Sequence, residues 1–456
     1  MRLRHSIAFV AFALILNLGC SSDSDTVKAT TPFTVSGQVR DLSSNISIEG
    51  CLVSLPGVAG SPTAWTDVNG FYRIEQVPAG STLLRVEAVG YEMLEATIPA
   101  PINGIATVNP LMQKKQYSVP LAKPLSTGRV RLQGTILETD FDGDGQYSPF
   151  HVRGAAYSPA PIGSWGPVSD PLHDRSLQML AQMNANTIRT YSGASPYLLQ
   201  RAADHNIRVI VGYWVPLEID LSDQATRDDI ILDFQRMVLQ LKDYPSVLMW
   251  NLGNEQNYSS NPNNGNSAYW YTLVQDLAVA AYLVEGATYH PVCGSNGGLF
   301  NIGSAALRAD DASLTYMDLW GANIYEVNFS TVFAAYRQRT GKAIVVTEFG
   351  IDALDNRTKT VYETVQAQYD STNWVQIAAA NDVCVGATVF EFTDEWWKAG
   401  DPSTHDDGGY ATTRHPDGYS NEEWWGVVAV TPDVNGDGMD EWRARPVYHV
   451  FQNLWK

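Results

Sequence analysis

The sequence predicts an α/β fold, a (β/α)8 barrel, preceded by a small all-β domain. From about residue 150, apolar runs of strand length alternate with helical stretches, which is typical of a parallel sheet. Eight such units in about 300 residues fit a closed barrel. A doubly wound open sheet is the alternative, but no glycine-rich phosphate loop follows the first strand. Residues 33 to 110 instead contain short alternating runs between Gly, Pro, Asn and Asp turns, which favours an all-β domain.

Each predicted barrel strand is a short apolar run that is bounded by turn residues. The eight runs are 151–157, 187–191, 208–213, 247–252, 292–295, 319–324, 343–347 and 387–392. The clearest helix follows Asp228, where apolar residues between Ile230 and Leu241 repeat on one 3.6-period face. Other helices are predicted at about 174–183, 268–284 and 358–380.

The first domain, residues 33–112, carries several short motifs that occur together in one family. They are VSGQV at 35–39, TDVNGFY at 66–72, VPAG at 77–80 and GY at 90–91. By these motifs the segment resembles the carboxypeptidase regulatory-like domains, and the resemblance implies a small transthyretin-like β-sandwich. The segment contains no catalytic constellation, so we interpret it as a spacer or docking module.

Composition and charge limit the class of partner. At 456 residues the chain is long enough for two or three domains with buried cores. Its formal net charge of −19 argues against nucleic acid, because such binding depends on Lys and Arg neutralising phosphates. The 13 Trp and 22 Tyr are consistent with stacking on sugar rings, and also with core packing.

The N-terminus predicts export. Arg2 and Arg4 precede an apolar run at 7–16 that has the length of a signal-peptide core and is too short to span a bilayer. The following LNLGC at 16–20 resembles a bacterial lipobox, and residues 1–20 are assigned as the lipoprotein signal segment. The resemblance implies cleavage after Gly19, which makes Cys20 the lipidated first residue. Residues 21–32 are then a tether. We expect a protein anchored by lipid to the bacterial cell envelope, at the outer membrane or cell surface. A plain secretory signal with a chance cysteine is the alternative.

Three further cysteines, Cys51, Cys293 and Cys384, are far apart and lack the spacing of a metal site. We expect each to be buried. A bridge between Cys293 and Cys384 is compatible with an oxidising compartment, and nothing in the sequence requires it.

Two Asp-rich loops, DFDGDG at 140–145 and DVNGDG at 433–438, resemble the first half of a calcium loop. The closing Glu is absent, since His151 and Ala444 stand at the twelfth positions, although Asp440 or Glu441 could substitute in the second loop. Turn chemistry explains both loops without metal. Structural Ca²⁺ therefore stays open, and no cofactor is required for the predicted chemistry.

Two predicted strands deliver a Glu at the point where the chain turns polar. The fourth strand leads into WNLGNE, ending at Glu255, and the seventh into VVTEFG, which contains Glu348. Barrel enzymes carry their sites at the carboxyl ends of the strands, and glycoside cleavage with retention needs two facing carboxyl groups. Taken singly, Asn254-Glu255 is also compatible with a helix N-cap and Glu348 with a strand-end turn.

Asn-Glu after the fourth strand and Glu after the seventh resemble the clan A retaining β-glycosidases. The resemblance implies that Glu255 is the general acid/base and Glu348 the nucleophile. It also implies that Asn254 binds the 2-hydroxyl of the sugar, that Arg189 in the second-strand motif NTIRTY orients the nucleophile, and that Tyr325 hydrogen-bonds it.

Local stretches resemble three families within the clan. RGAAYSP at 153–159, DPL at 170–172 and DLWGANIY at 318–325 are similar to the family 72 glucanosyltransferases and family 2 barrels, whereas FEFTDEWWK at 390–398 and EWWG at 423–426 are similar to the family 17 β-glucanases. We expect substrate contacts from Trp396, in preference to Trp397, and from Glu391 and Tyr157. Asp394, Glu395, Trp165 and Trp214 are further rim candidates, and ordinary core or rim roles are the alternative for all of these residues.

The sequence therefore predicts a retaining glycoside hydrolase that acts on β-linked glucan or a related polysaccharide. Residues 149–456 form the catalytic domain, and 113–148 are a connector and β-rich lead-in. Retention requires the two carboxyl groups to lie about 5–5.5 Å apart. A β-glucanosyltransferase and a non-catalytic carbohydrate-binding surface lipoprotein are the alternatives.

Overall fold

The computed structural model describes residues 31–58, 60, 62–115, 119–165 and 170–456. Cys20, the predicted signal peptide and most of the predicted tether lie outside the described residues. The chain divides into two compact units, with the boundary between Lys114 and Lys115.

The described residues of the first unit form an all-β domain. A four-stranded sheet has the order β4-β3-β6-β7, a three-stranded sheet has the order β5-β1-β8, and β2 pairs with β9. Side chains alternate along β5, where Tyr72, Ile74 and Val77 are buried and join Val35 and Val53 in the core. The predicted all-β domain is thus confirmed. Its strands are β1 (Phe33–Gln38), β2 (Arg40–Asp41), β3 (Leu52–Ser54), β4 (Thr63–Trp65), β5 (Phe71–Val77), β6 (Leu83–Glu87), β7 (Leu94–Thr97), β8 (Ile105–Thr107) and β9 (Leu111–Met112).

The second unit contains a closed barrel of eight parallel strands in sequential order, as the sequence predicts. Seven of its eight strands are buried along their whole length, and the first is buried except at Arg153, because helices cover the outer face. The barrel strands are β13 (Val152–Ala156), β14 (Thr187–Arg189), β15 (Arg208–Tyr213), β16 (Val247–Leu252), β17 (Val292–Gly297), β18 (Leu319–Asn323), β19 (Ala343–Phe349) and β22 (Cys384–Val389).

A small antiparallel sheet precedes the barrel and closes its amino end. It consists of β10 (Val130–Gln133), β11 (Ile136–Thr139) and β12 (Ser148–Pro149). Val130 and Leu137 of this sheet pack with the first residues of barrel strands, such as Val152 and Leu319. The opposite end of the barrel, where the strands finish, is left for the candidate site.

Among the described residues of the second unit, seven α-helices accompany the barrel: α1 (Asp170–Gln182), α2 (Pro196–Asp204), α3 (Gln224–Leu241), α4 (Ala268–Glu285), α5 (Phe329–Tyr336), α6 (Glu363–Ala379) and α7 (Pro446–Leu454). Asp223 caps α3 by accepting from Thr226 N. The helices α2, α5 and α7 were not predicted from the sequence, since eight or nine residues show too little periodicity. The predicted start of α6 at 358 is wrong because Thr360–Val361 form a strand, β21, paired with β20 (Leu354–Asp355).

The eighth barrel strand ends three residues earlier than predicted. Beyond Val389 the backbone hydrogen-bonds a later segment: Glu391 N donates to Trp425 O and Val427 N donates to Glu391 O. The apolar residues at 390–392 extend the strand pattern past its end, which explains the error. Later hairpins are β23 (Gly409–Ala411) with β24 (Tyr419–Asn421), and β25 (Val428–Thr431) with β26 (Glu441–Ala444).

The three described cysteines are buried free thiols. The Sγ atoms of Cys293 and Cys384 donate to Asn251 Oδ1 and Gly386 O, so the two residues are not bridged. Burial raises the pKa of both thiols to about 12. Within the described part of the chain, no helix combines the length and hydropathy that crossing a bilayer requires.

Candidate active site

Strand ends bring the predicted carboxylates to one end of the barrel. Glu348 lies near the end of β19, Glu255 lies three residues past β16, and Arg189 is the last residue of β14. Because all eight strands are parallel, their last residues meet at the same rim.

Glu348 is 5% exposed and accepts from three side chains. Arg189 Nη1 lies 2.7 Å and the Tyr191 hydroxyl 2.8 Å from Oε1, and the Tyr325 hydroxyl lies 2.5 Å from Oε2. Arg189 is fully buried. Donors on both oxygens fix the plane of the carboxylate, and the guanidinium supplies a compensating positive charge.

The two phenols remain donors at neutral pH. Burial, followed by the negative charge of Glu348, raises the pKa of Tyr191 and Tyr325 well above the usual value. Each hydroxyl is therefore protonated and donates to Glu348.

Glu255 is held differently. Its backbone is left-handed, with φ of 57°, and its amide donates to Ser295 O at 2.9 Å. Oε1 accepts from Asn323 Nδ2 at 2.9 Å. Burial and then the negative charge of Glu348 raise the pKa of Glu255 to about 7, against the lowering effect of Asn323. A carboxyl with this pKa can give and take a proton near neutral pH.

Asn254 joins the surroundings of the two carboxylates. Its Oδ1 accepts from Arg189 Nη2 at 2.7 Å and from Asn323 Nδ2 at 3.1 Å. Arg189 also binds Glu348, and Asn323 also binds Glu255. One hydrogen-bond network therefore connects Glu348 to Glu255 through three buried or half-buried polar residues.

The turn that presents Glu255 depends on Gly253 and Gln256. Gly253 has φ of 62°, and a β-carbon there would lie 2.7 Å from both Gln256 Oε1 and the Trp270 ring. Gln256 is buried and accepts from Asn254 N at 2.8 Å. The N-cap alternative for this motif is wrong, since Asn254 Oδ1 accepts from Arg189 and Asn323 instead, and Glu255 makes no side-chain capping hydrogen bond to the 3₁₀ turn Gln256–Tyr258.

Glu391, a predicted substrate contact, lies in a buried charge cluster past β22. Lys398 Nζ is 3.3 Å from Glu391 Oε2 and 3.2 Å from Glu395 Oε2. Glu391 is 1% exposed, and its Oε1 accepts no hydrogen bond from the described residues. Burial and the charge of Glu395 raise the pKa of Glu391 well above its usual value. One oxygen of Glu391 therefore stays available as a hydrogen-bonding group.

Trp396 lies in an aromatic stack outside the hydrogen-bond network. Its ring is 4.4 Å from the His405 ring, which stacks at 3.5 Å on Trp424. Its Nε1 donates to Val430 O at 3.2 Å. One face of Trp396 is thus covered by protein, and its expected contact with substrate stays a prediction.

Tyr157 packs in the hydrophobic core of the barrel unit. It is 4% exposed, its hydroxyl bonds His173 Nδ1 at 2.8 Å, and its ring packs against Phe392. The expectation that Tyr157 contacts substrate stays a prediction. Asp394 is also structural, because Arg445 binds both of its oxygens at 2.6 and 2.8 Å. Trp165 and Trp214 are 67% and 43% exposed.

Tyr191 and Asn323 were not predicted as site residues, although each binds one of the predicted catalytic carboxylates. Tyr191 lies two residues after Arg189, and Asn323 lies two residues before Tyr325. Residues at this spacing point to the same face of an extended chain. The alternation around Arg189 and Tyr325 was therefore the signal that could have found them.

The Asp-rich loops lie apart from this network. Asp140, Asp142 and Asp144 each place one carboxylate oxygen within 4.8 Å of the others. Asp140 also accepts from the backbone of Asp144 and Gly145, as Asp433 does from Gly436 and Gly438. Turn hydrogen bonds account for both loops, and bound Ca²⁺ stays a prediction.

Comparison with known proteins identifies the first domain. Residues 34–113 match the family model of the carboxypeptidase regulatory-like domain. No curated protein matches the chain in sequence.

Solved structures of β-glucuronidases resemble the chain in fold. The enzyme from Ruminococcus gnavus has a TM-score of 0.52 at 15% identity, over 93% of this chain and 69% of that one. Its complex with D-glucuronic acid has a TM-score of 0.51 at 14% identity, over 93% of this chain and 68% of that one. The Dictyoglomus thermophilum enzyme has a TM-score of 0.50 at 14% identity, over 89% of this chain. The chain spans only 64% of the length of that enzyme. The chain is thus a carboxypeptidase regulatory-like domain followed by a barrel that shares the fold of these enzymes.

Proposed function

We propose that this protein is a retaining glycoside hydrolase that acts on β-linked glucan or a related polysaccharide by double displacement. The observation that carries the proposal is that two carboxylates at one barrel rim have different surroundings. Glu348 is fixed by Arg189, Tyr191 and Tyr325, whereas Glu255 has its pKa raised to about 7 by burial and by the charge of Glu348. Retaining hydrolysis needs this division between a nucleophile and an acid.

In the first step, protonated Glu255 gives its proton to the glycosidic oxygen while a Glu348 oxygen attacks the anomeric carbon. The bond from that carbon to the leaving oxygen breaks, and an ester to Glu348 forms. Arg189 and the two phenols hold the attacking carboxylate in a fixed orientation, which reduces the entropy lost on reaching the transition state.

In the second step, Glu255 is the base. Esterification removes the negative charge of Glu348, which is one cause of the raised pKa of Glu255. The pKa of Glu255 falls as a result, so its carboxylate accepts a proton from water as the water oxygen attacks the anomeric carbon. The ester bond breaks, and Glu348 returns to its ionised form.

The two alternatives, a glucanosyltransferase and a non-catalytic binding protein, differ from the hydrolase in different ways. A β-glucanosyltransferase would use the same first step, with a sugar hydroxyl in place of water in the second. A non-catalytic binding protein would be expected to lack one of the reacting groups, but Glu255, Glu348 and Arg189 are all present and connected. Hydrolysis and transfer are distinguished by product analysis with an acceptor sugar present.

The test uses purified protein on a panel of β-glucans, mannans and aryl β-glycosides. We expect activity with retention of the anomeric configuration, followed by NMR, and its loss in Glu348→Gln. Glu75→Gln, an exposed residue of the first unit, is the matched control. An unchanged rate in Glu348→Gln, or inversion of configuration, contradicts the proposal.

We further propose that the protein is exported and anchored to the bacterial cell envelope by a lipid on Cys20. The support is the charged start, the apolar run and LNLGC at 16–20. Expression of wild type and Cys20→Ser in bacterial cells tests this. The wild type should be in the membrane fraction and the variant should not, and equal membrane association of both contradicts the anchor.

A further inference from the structure

An exposed aromatic side chain follows Glu255 on the same turn, and a second exposed aromatic side chain packs against it. Tyr258 ends the 3₁₀ turn that begins at Gln256, directly after Glu255, and its amide donates to Glu255 O at 2.9 Å. Phe300 follows β17, and its ring centroid is 5.1 Å from that of Tyr258. The two residues are 49% and 40% exposed. By contrast, Tyr191 and Tyr325, which bind Glu348, have their hydroxyls engaged by a buried carboxylate.

The ring of Tyr258 is held in place by the strand next to it. Asn257 Nδ2 donates to Gly297 O at 2.9 Å, and Gly297 N donates back to Asn257 Oδ1 at 2.7 Å. A β-carbon on Gly297 would lie 1.8 Å from the Tyr258 ring, so the ring packs directly on the glycine backbone. The pair is therefore a preorganised apolar surface whose exposure is not a consequence of a loose loop.

The proposed reaction indicates which part of the substrate this surface binds. The general acid gives its proton to the leaving oxygen, so the leaving group must lie on the Glu255 side of the broken bond. The pKa of the Tyr258 phenol is raised, mainly by burial and secondly by the negative charge of Glu255. The surface that Tyr258 and Phe300 form is thus carried by the turn that directly follows the proton donor.

We infer that Tyr258 and Phe300 form the leaving-group subsite, and that its occupant is a further neutral sugar ring. This rests on the proposed function. The apolar face of a sugar ring stacks on aromatic rings. Arg414 and Glu326, which form an ion pair of 3.3 Å and are both half-exposed, also act on the Tyr258 phenol. Because their charges compensate each other, they favour hydroxyl groups over a charged ligand.

The substrate is accordingly an oligo- or polysaccharide with at least one sugar after the cleaved bond. The test compares a β-linked glucotriose, which needs this subsite, with β-glucosyl fluoride, whose leaving group is a single atom. In Tyr258→Ala and Phe300→Ala, we expect the ratio of kcat/KM for the trisaccharide to that for the fluoride to fall about tenfold. Tyr258→Phe, which keeps the ring, should retain most of the ratio. Phe71→Ala, an exposed aromatic of the first unit, should leave the ratio unchanged.

The outcomes separate the two proposals. An unchanged ratio in both alanine variants, with active wild type, overturns the subsite and leaves the hydrolase proposal standing. Wild-type protein that is inactive on both substrates overturns the proposed glucan-cleaving function and the subsite with it. Turnover of the fluoride by the variants shows that they are folded.

Discussion

Arg189 and Glu348 form a buried ion pair, with Nη1 2.7 Å from Oε1 and the guanidinium fully enclosed. Removing two charges from water costs more free energy than a typical surface ion pair contributes to stability. The other arm of the guanidinium binds Asn254 Oδ1 at 2.7 Å. Arg189 therefore fixes the positions of the proposed nucleophile and of the residue next to the proposed acid.

Arg189→Lys should lower kcat about 100-fold or more. Lysine keeps the charge but lacks the planar fork that bonds Glu348 and Asn254 together. Steady-state kinetics on the best substrate of the panel measures the effect, and circular dichroism checks the fold. A folded variant with wild-type kcat would show that the double contact of Arg189 is dispensable.

The pH dependence of kcat/KM should show a basic limb near pH 7. Glu255 must be protonated for the first step, and its pKa is raised to about 7 by burial and by Glu348. Activity therefore falls as the pH rises through 7. In Glu255→Gln we expect a loss of about 10²- to 10⁴-fold on unactivated substrates and no basic limb in what remains. The same limb in the variant would assign it to another group.

Glu255→Gln should also be more stable than wild type above pH 7. The carboxyl binds its proton in the folded protein up to about pH 7, but in the unfolded chain only to about pH 4.3. Stability of wild type therefore falls as the pH rises through this window, and glutamine removes the effect. We expect a gain on the order of 1–3 kcal/mol at pH 8, measured by urea unfolding. If the stability difference between the variant and wild type is the same at pH 5 and at pH 8, the raised pKa of Glu255 is contradicted.

Arg445→Met should destabilise the barrel unit by about 3–5 kcal/mol. Arg445 and Asp394 are both about 1% exposed or less in their side chains, and the substitution leaves the Asp394 carboxylate buried without its cation. Arg337→Met is the matched control, since its pair with Asp382 is largely exposed and should contribute less than about 1 kcal/mol. Similar losses in the two variants, in urea unfolding, would argue against the buried pair.

Tyr325→Phe should reduce kcat with little change in KM. The phenol donates to Glu348 Oε2 at 2.5 Å, and phenylalanine keeps the ring that packs against Phe390 and Trp425. We expect a loss of about 10- to 100-fold from the misdirected carboxylate. A rise in KM alone would instead indicate that the hydroxyl acts in substrate binding.

The barrel could be predicted because each parallel strand is buried on both faces and therefore appears as a short apolar run. Glu255 and Glu348 were recognisable because each interrupts such a run at its end. Strand ends, however, do not determine where a side chain points once the chain leaves the strand. Trp396 and Glu391 follow β22, and their surroundings depend on residues 405 and 424 and on Lys398, which belong to the same long loop region.

Tyr157 shows the same limit from the other direction. It directly follows β13, where a site aromatic is expected, yet its hydroxyl bonds to His173 on α1 and its ring joins the core. Which face a residue takes just past a strand is decided by partners distant in sequence. The Tyr258–Phe300 pair was missed for this reason, since its members come from the turns after two neighbouring strands.

The most direct test of the proposed mechanism is to trap the covalent intermediate. Wild-type protein is incubated with an activated 2-deoxy-2-fluoro β-glycoside of the sugar that it cleaves, and the labelled peptide is mapped by mass spectrometry. The double-displacement mechanism predicts one sugar per protein, attached to Glu348, and no label in Glu348→Gln. Label on another residue, or turnover with no covalent adduct, would contradict it.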